Sequence, residues 1–166
     1  MLKYTKILCA FDFDGNSTAA LLLAGALAKE SNATLHILHI ARVPTQDMDV
    51  PLPFDADPRW EKEARTRLAL VAKNTLGAGV QYVIDVRTGV PDIDIVRAAR
   101  ELEVDLIVIA THGRTGFEHF VLGSVAERVI REAPCPVLVT RATVDRSLVP
   151  HVLYEASDRK ACHRRR

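Results

Sequence analysis

The chain has 166 residues, 48% of them hydrophobic and 26% charged, with a net charge of +1 at neutral pH. That is the size of one domain with a single core, and the averages argue against both a disordered chain and a membrane protein. No stretch approaches the ~18 continuous apolar residues of a membrane span, and MLKYTKILCAFD runs into a strand without a signal-peptide cleavage pattern.

Charge is unevenly placed. From Arg141 onward seven Lys/Arg face three Asp/Glu, whereas residues 1–140 carry 15 against 18. A nearly neutral body gives no reason to expect nucleic acid as a partner. Cys9, Cys135 and Cys162 show no metal-ligand spacing, so they read as unpaired thiols of a reducing compartment, and the expected location is the cytoplasm.

In chain order, Lys6 to Asp12 (KILCAFD) reads as a short buried strand ending in a carboxylate. Asn16, Ser17 and Thr18 offer capping side chains before AALLLAGALAKE, a segment of high helix propensity. Thr34 to Ile40 is a second strand, followed by a Pro- and Asp-rich loop. Asp57-Pro58 opens a charged amphipathic helix that Gly77 and Gly79 close, and Val80 to Val86 is a third strand. Gly89 and Pro91 introduce a helix with Asp92 and Asp94 in its first turn and an apolar face of Ile93, Val96, Ala98, Ala99 and Leu102. Leu106 to Ala110 is the fourth strand, Ser124 to Ala133 the fourth helix and Val137 to Thr140 the fifth strand.

Strands alternating with helices through long connections imply parallel βαβ units, and apolar strands imply a sheet covered on both faces. The expectation is an α/β fold: a three-layer α/β/α sandwich with a five-stranded parallel sheet, order 3-2-1-4-5. Such sheets bind ligands at the carboxyl ends of the strands where the order reverses, here between strands 1 and 4. Asp12 would then face the stretch that follows Ala110. That stretch carries Gly113 and Gly116, and Gly123-Ser124 open the next helix. A strand, a glycine-bearing loop and a helix start expose backbone N–H groups at a positive helix end, which suits a phosphate. Ser124 and Glu127 also have the S-x-x-E spacing of a capping box, which needs no ligand.

The stretch THGRTGFEHFVLGSVAERVIREAPCPVLV closely resembles the C-terminal signature of the universal stress protein family, and the resemblance covers about residues 3–141. The nucleotide-binding branch of that family has Gly, two residues, Gly, nine residues, then Gly-Ser or Gly-Thr. Gly113, nine residues and Gly123-Ser124 match; the first glycine falls on Ala110, and a family proline two residues before Asp12 falls on Ala10. The resemblance implies an adenine nucleotide alpha hydrolase-like fold that binds ATP, or AMP or ADP, with Mg²⁺. Gly113, Gly123, Ser124 and the Val125 amide would contact phosphate, and Arg114 and Gly116 would border it. Asp12 would accept from ribose hydroxyls, and the Ile40 backbone would meet the adenine edge. It further implies a two-fold homodimer pairing the last strands at Val137 and Val139, and a stress-response role through an unidentified protein partner. Residues 1–141 would be the family domain and 142–166 a basic, partly disordered extension.

Slow hydrolysis is the most to expect, since no general base or acidic metal pair stands out. Two rivals remain. One is a nucleotide-independent dimeric interaction protein of the same family, for which Ala110 is the argument. The other is a haloacid-dehalogenase-type phosphatase, because Asp12-Phe13-Asp14-Gly15 resembles its D-x-D-G opening. Against it, strand 4 ends in Ala-Thr-His-Gly, without the acidic pair that would hold the metal. His36, His39 and His112 lack a metal-ligand pattern and read as hydrogen-bonded structural residues, and Trp60 as packing.

Overall fold

A computed structural model of the chain describes residues 3–42, 58–111 and 123–141. In order these form β1 (Lys6–Ala10), α1 (Gly15–Ser31), β2 (Thr34–Arg42), α2 (Pro58–Thr75), β3 (Gln81–Gly89), α3 (Pro91–Leu102), β4 (Leu106–Thr111), α4 (Ser124–Glu132) and β5 (Val137–Arg141). All neighbouring strands run parallel in the order β3-β2-β1-β4-β5, as the sequence pattern implies. Helices α1 and α2 cover one face of the sheet and α3 and α4 the other, so the central strands are enclosed on both sides. This is why β1 and β4 are continuous apolar runs: alternate residues enter two cores. Ile7 and Cys9 pack under α1, Leu8 and Ala10 against the α3–α4 layer, with Ile7, Leu8 and Cys9 fully buried.

At the N-terminal end of the sheet the Asp105 carboxylate fastens β1 to β4. Its Oδ2 accepts the Thr5 N–H (2.6 Å), the Thr5 hydroxyl (2.7 Å) and the Lys6 N–H (2.9 Å). These hydrogen bonds favour the ionised form and hold the carboxyl below the usual range.

Four local expectations are corrected. Helix α1 begins at Gly15 with Asp14 as N-cap, so Asn16, Ser17 and Thr18 lie inside it; Ser17 and Thr18 are buried, and the Ser17 hydroxyl donates back to the Asp14 carbonyl at 2.7 Å. The elbow after β1 starts the helix one turn earlier than propensity alone indicates. Ile93 is 42% exposed, and Ile95 takes its place in the core. Apolar residues stand at both positions, and only the sheet behind α3 selects between them. Finally, the Ser124–Glu127 capping box does not form. Gly123 is the N-cap, which makes Ser124 the first helical residue and puts Glu127 out of reach of the cap; Glu127 accepts instead from Arg131 at 2.8 Å. Strand β3 also runs on to Gly89, which therefore ends a strand rather than opening a helix. Asp57, expected as the N-cap of α2, lies outside the described residues.

Candidate functional site

At the carboxyl ends of the strands a cleft of about 670 Å³ opens where the strand order reverses between β1 and β4. That is within the roughly 300–1,000 Å³ of small-molecule sites. One wall is the end of β1 and the residues after it: Ala10, Phe11 and Asp12. The ends of β2 and β4 add Ile40 and Ala110, and the start of α4 adds Gly123, Ser124 and Val125. Seven of the ten residues singled out from sequence thus line one cavity. Gly113, Arg114 and Gly116 lie outside the described residues, as does His112.

The wall beside Asp12 is built by an interrupted strand. Pairing continues through the Phe11 N–H to the Leu38 carbonyl (2.8 Å), so Asp12 comes two residues after β1 ends. There its Oδ1 accepts the Asp14 N–H at 3.0 Å, an Asx turn that bends the chain into α1. The residue thus closes a turn and also lines the cleft. His39 stands beside it. The Phe11 carbonyl can only accept, so at 2.8 Å it fixes the proton on Nδ1 of His39. Burial lowers the His39 pKa, against the opposing pull of the Phe11 carbonyl and the Asp12 charge. This is the structural role expected of that histidine. Trp60, partly buried against the α1–α2 core, likewise packs.

The opposite wall is a helix end without a side-chain cap. Gly123 adopts φ −62°, ψ 143°, makes no side-chain cap bond and has open space where a Cβ would stand. The first N–H groups of α4 thus meet the cleft at the positive end of the helix dipole. Chemically, the cavity offers a hydrogen-bond acceptor on one side, an anion-friendly end on the other and an apolar surface between them.

Sequence reasoning passed over much of that apolar surface. Leu38, Ile109, Pro91 and Ile95 all line the cleft. Pro91 and Ile95 are set by a separate device, in which the buried Asp94 carboxylate accepts the Val90 N–H at 2.6 Å and pairs with Arg97. A methyl on Gly89 would come within 1.8 Å of Asp94 Oδ2, so glycine is required for this closure. The G-x-P-x-x-D spacing was the available signal.

Among the described residues no three His, Cys, Asp or Glu side chains are grouped to hold a metal, and no helix is long and apolar enough to cross a membrane. Cys9 and Cys135 are unpaired. Burial, reinforced by the nearby Asp12 charge, pushes the Cys9 thiol up to about 12, which makes it a core residue rather than a nucleophile.

Residues 3–141 match the family model described as the universal stress protein family. The chain belongs to that family. It is 37% identical over 145 residues to universal stress protein MJ0531 of Methanocaldococcus jannaschii, covering 83% of this chain and 82% of that one. Among solved structures, universal stress protein UspA from Lactobacillus plantarum is similar with a TM-score of 0.65 and 27% identity, over 85% of this chain and all of that one. A universal stress protein in complex with cAMP is similar with a TM-score of 0.62 and 25% identity, over 84% of this chain and 98% of that one. The sheet order of this universal stress protein is therefore the family's fold.

Proposed function

We propose that the cleft binds an adenine nucleotide, ATP foremost with AMP or ADP as alternatives, and that the protein is a stress-response binding module with at most slow ATP hydrolysis. The observation that carries this reading is that Asp12 and the uncapped start of α4 line one cavity of about 670 Å³. A similar universal stress protein solved in complex with cAMP supports the adenine class. In this reading Asp12 accepts from the ribose, and the amides from Gly123 to Val125 meet phosphate. Ala10, Ile40 and Ala110 shape the base and sugar region, and Gly113, Arg114 and Gly116 complete the phosphate side. Mg²⁺ would arrive on the phosphates, since it keeps its waters and needs no cage of protein ligands. When bound, it would neutralise phosphate charge. In this reading nucleotide orders the segment from Thr111 to Leu122 and thereby alters a surface for a protein partner, and the cell compartment is the cytoplasm, which suits unpaired thiols. Residues 142–166 form an extension whose basic character is its main feature.

Calorimetry with ATP and Mg²⁺, paired with mass spectrometry of small molecules released from protein purified without added ligand, tests the proposal. Binding and a co-purified adenylate are expected; no heat and no thermal shift at millimolar ATP would end it.

A second reading, dimerisation independent of nucleotide, rests on β5, which ends the sheet with partly buried Val137 and Val139. Antiparallel pairing of two β5 strands would make a homodimer, and light scattering that finds only monomer contradicts it. The phosphatase reading has nothing in its favour beyond its four-residue match.

A further inference from the structure

Between Asp12 and helix α1 stands Phe13, whose φ of 62° lies in the left-handed region that a bulky side chain rarely adopts. Glycine or asparagine would take that conformation more easily. A strained backbone persists where its surroundings over-determine it. Here the ring meets Phe11 edge-on with centroids 5.3 Å apart and His39 at 4.6 Å, and the Arg67 guanidinium of α2 lies 4.5 Å above its centre. Each contact is of an attractive geometry. Phe11, Asp12 and His39 line the cleft, whereas Phe13 stands behind them. The Asx turn from Asp12 to Asp14 closes around Phe13 itself.

We propose that Phe13 is a positioning residue for Asp12: its ring, gripped by Phe11, His39 and Arg67, holds the left-handed elbow that presents the Asp12 carboxylate to the hydroxyls of a bound nucleotide. Through Arg67 that presentation is tied to α2. The inference rests on the adenine-nucleotide reading and names how one of its contacts is held.

The test compares affinities for ATP and its 2′,3′-dideoxy analogue by calorimetry, which isolates the hydroxyl contact. The wild type should prefer ATP by roughly tenfold, the size of a hydrogen bond to a charged acceptor, and Asp12→Ala should remove the preference. Phe13→Gly suits the left-handed backbone and so separates anchoring from folding. It should cut the preference below about twofold with dideoxy-ATP affinity unchanged. Phe13→Tyr should retain the preference, and Arg67→Ala should fall between. If Phe13→Gly does not fold, Arg67→Ala decides by the same ratio. A Phe13→Gly protein with full ribose preference overturns the proposal, and so does equal weakening of both nucleotides, because packing alone would do that. A wild type that binds both nucleotides equally overturns it too while leaving the nucleotide reading intact; one that binds neither ends both.

Discussion

Helices α3 and α4 lie in the same layer, and their N-termini meet the same cleft, yet the two ends are opposite in character. Neither start carries a side-chain cap bond, but the first turn of α3 is occupied by acids. Pro91 brings no N–H, Asp94 Oδ2 takes the Val90 N–H, and Asp92 adds a second carboxylate that pairs with Arg128 of α4 at 3.0 Å. The start of α4 has a glycine cap, and the only acid of its first turn is held by Arg131. A helix dipole is therefore not by itself an anion site. Side chains decide which end is available, and here they leave an apolar wall at α3 and a phosphate-compatible end at α4.

The strongest way to break that asymmetry is to make α4 resemble α3. Gly123→Asp meets open space at its Cβ and would cap the helix with a carboxylate. Nucleotide affinity measured by calorimetry should drop by about 100-fold, while the unfolding free energy holds or rises by about the few tenths of a kcal/mol that separate Asp from Gly at a cap. A parallel loss of affinity and stability would mean that the substitution simply damaged the fold. The converse change, Asp94→Ala, opens α3. It should destabilise the protein in urea by about 1–3 kcal/mol, because the Val90 N–H and the Arg97 guanidinium lose their charged acceptor, with an affinity change under about threefold. Gly89→Ala should act in the same direction, since the new methyl would displace Asp94.

A smaller effect is expected at the other end of the sheet, where neither helix start is involved. Asp105 has its folded pKa depressed, first by the Thr5 hydroxyl and then by the Lys6 and Thr5 amides. The unfolded chain therefore takes up this proton at a higher pH than the folded one. The contribution is complete above the ordinary carboxylate range and disappears as pH falls through the lower folded value. Asp105→Asn should flatten the acid limb of the stability–pH profile by less than about 1 kcal/mol, given its exposure to solvent, and leave nucleotide affinity untouched. A shift in affinity would imply that the two ends of the sheet are coupled.

Where the sequence pattern was periodic and long, it was legible. The five apolar runs and the segments between them specify parallel pairing, and the reversal of strand order places Asp12 opposite Gly123 before any coordinate is known. Residue-level roles at the helix starts were less legible, because Ser, Thr, Asp and Glu serve as caps, interior residues or ion-pair partners with equal chemical ease. Ser124 and Glu127 have the spacing of a box, but the helix begins at Ser124 with Gly123 as its cap, and an arginine one turn on takes Glu127. Ile93 and Ile95 show the same limit in apolar residues, since helical periodicity tolerates either and packing accepts one.

By itself the sequence determined the family, the sheet order and the pair of elements that meet at the cleft, because hydrophobic periodicity and motif spacing are properties of the chain. Tertiary structure alone decided that Asp94 takes the Val90 N–H at one helix start while Arg131 draws off Glu127 at the other, and that Phe13 holds a left-handed elbow under Arg67. Those outcomes depend on groups brought together from different helices and strands, and their competition for the same donors, acceptors and ring faces is settled only when the layers pack.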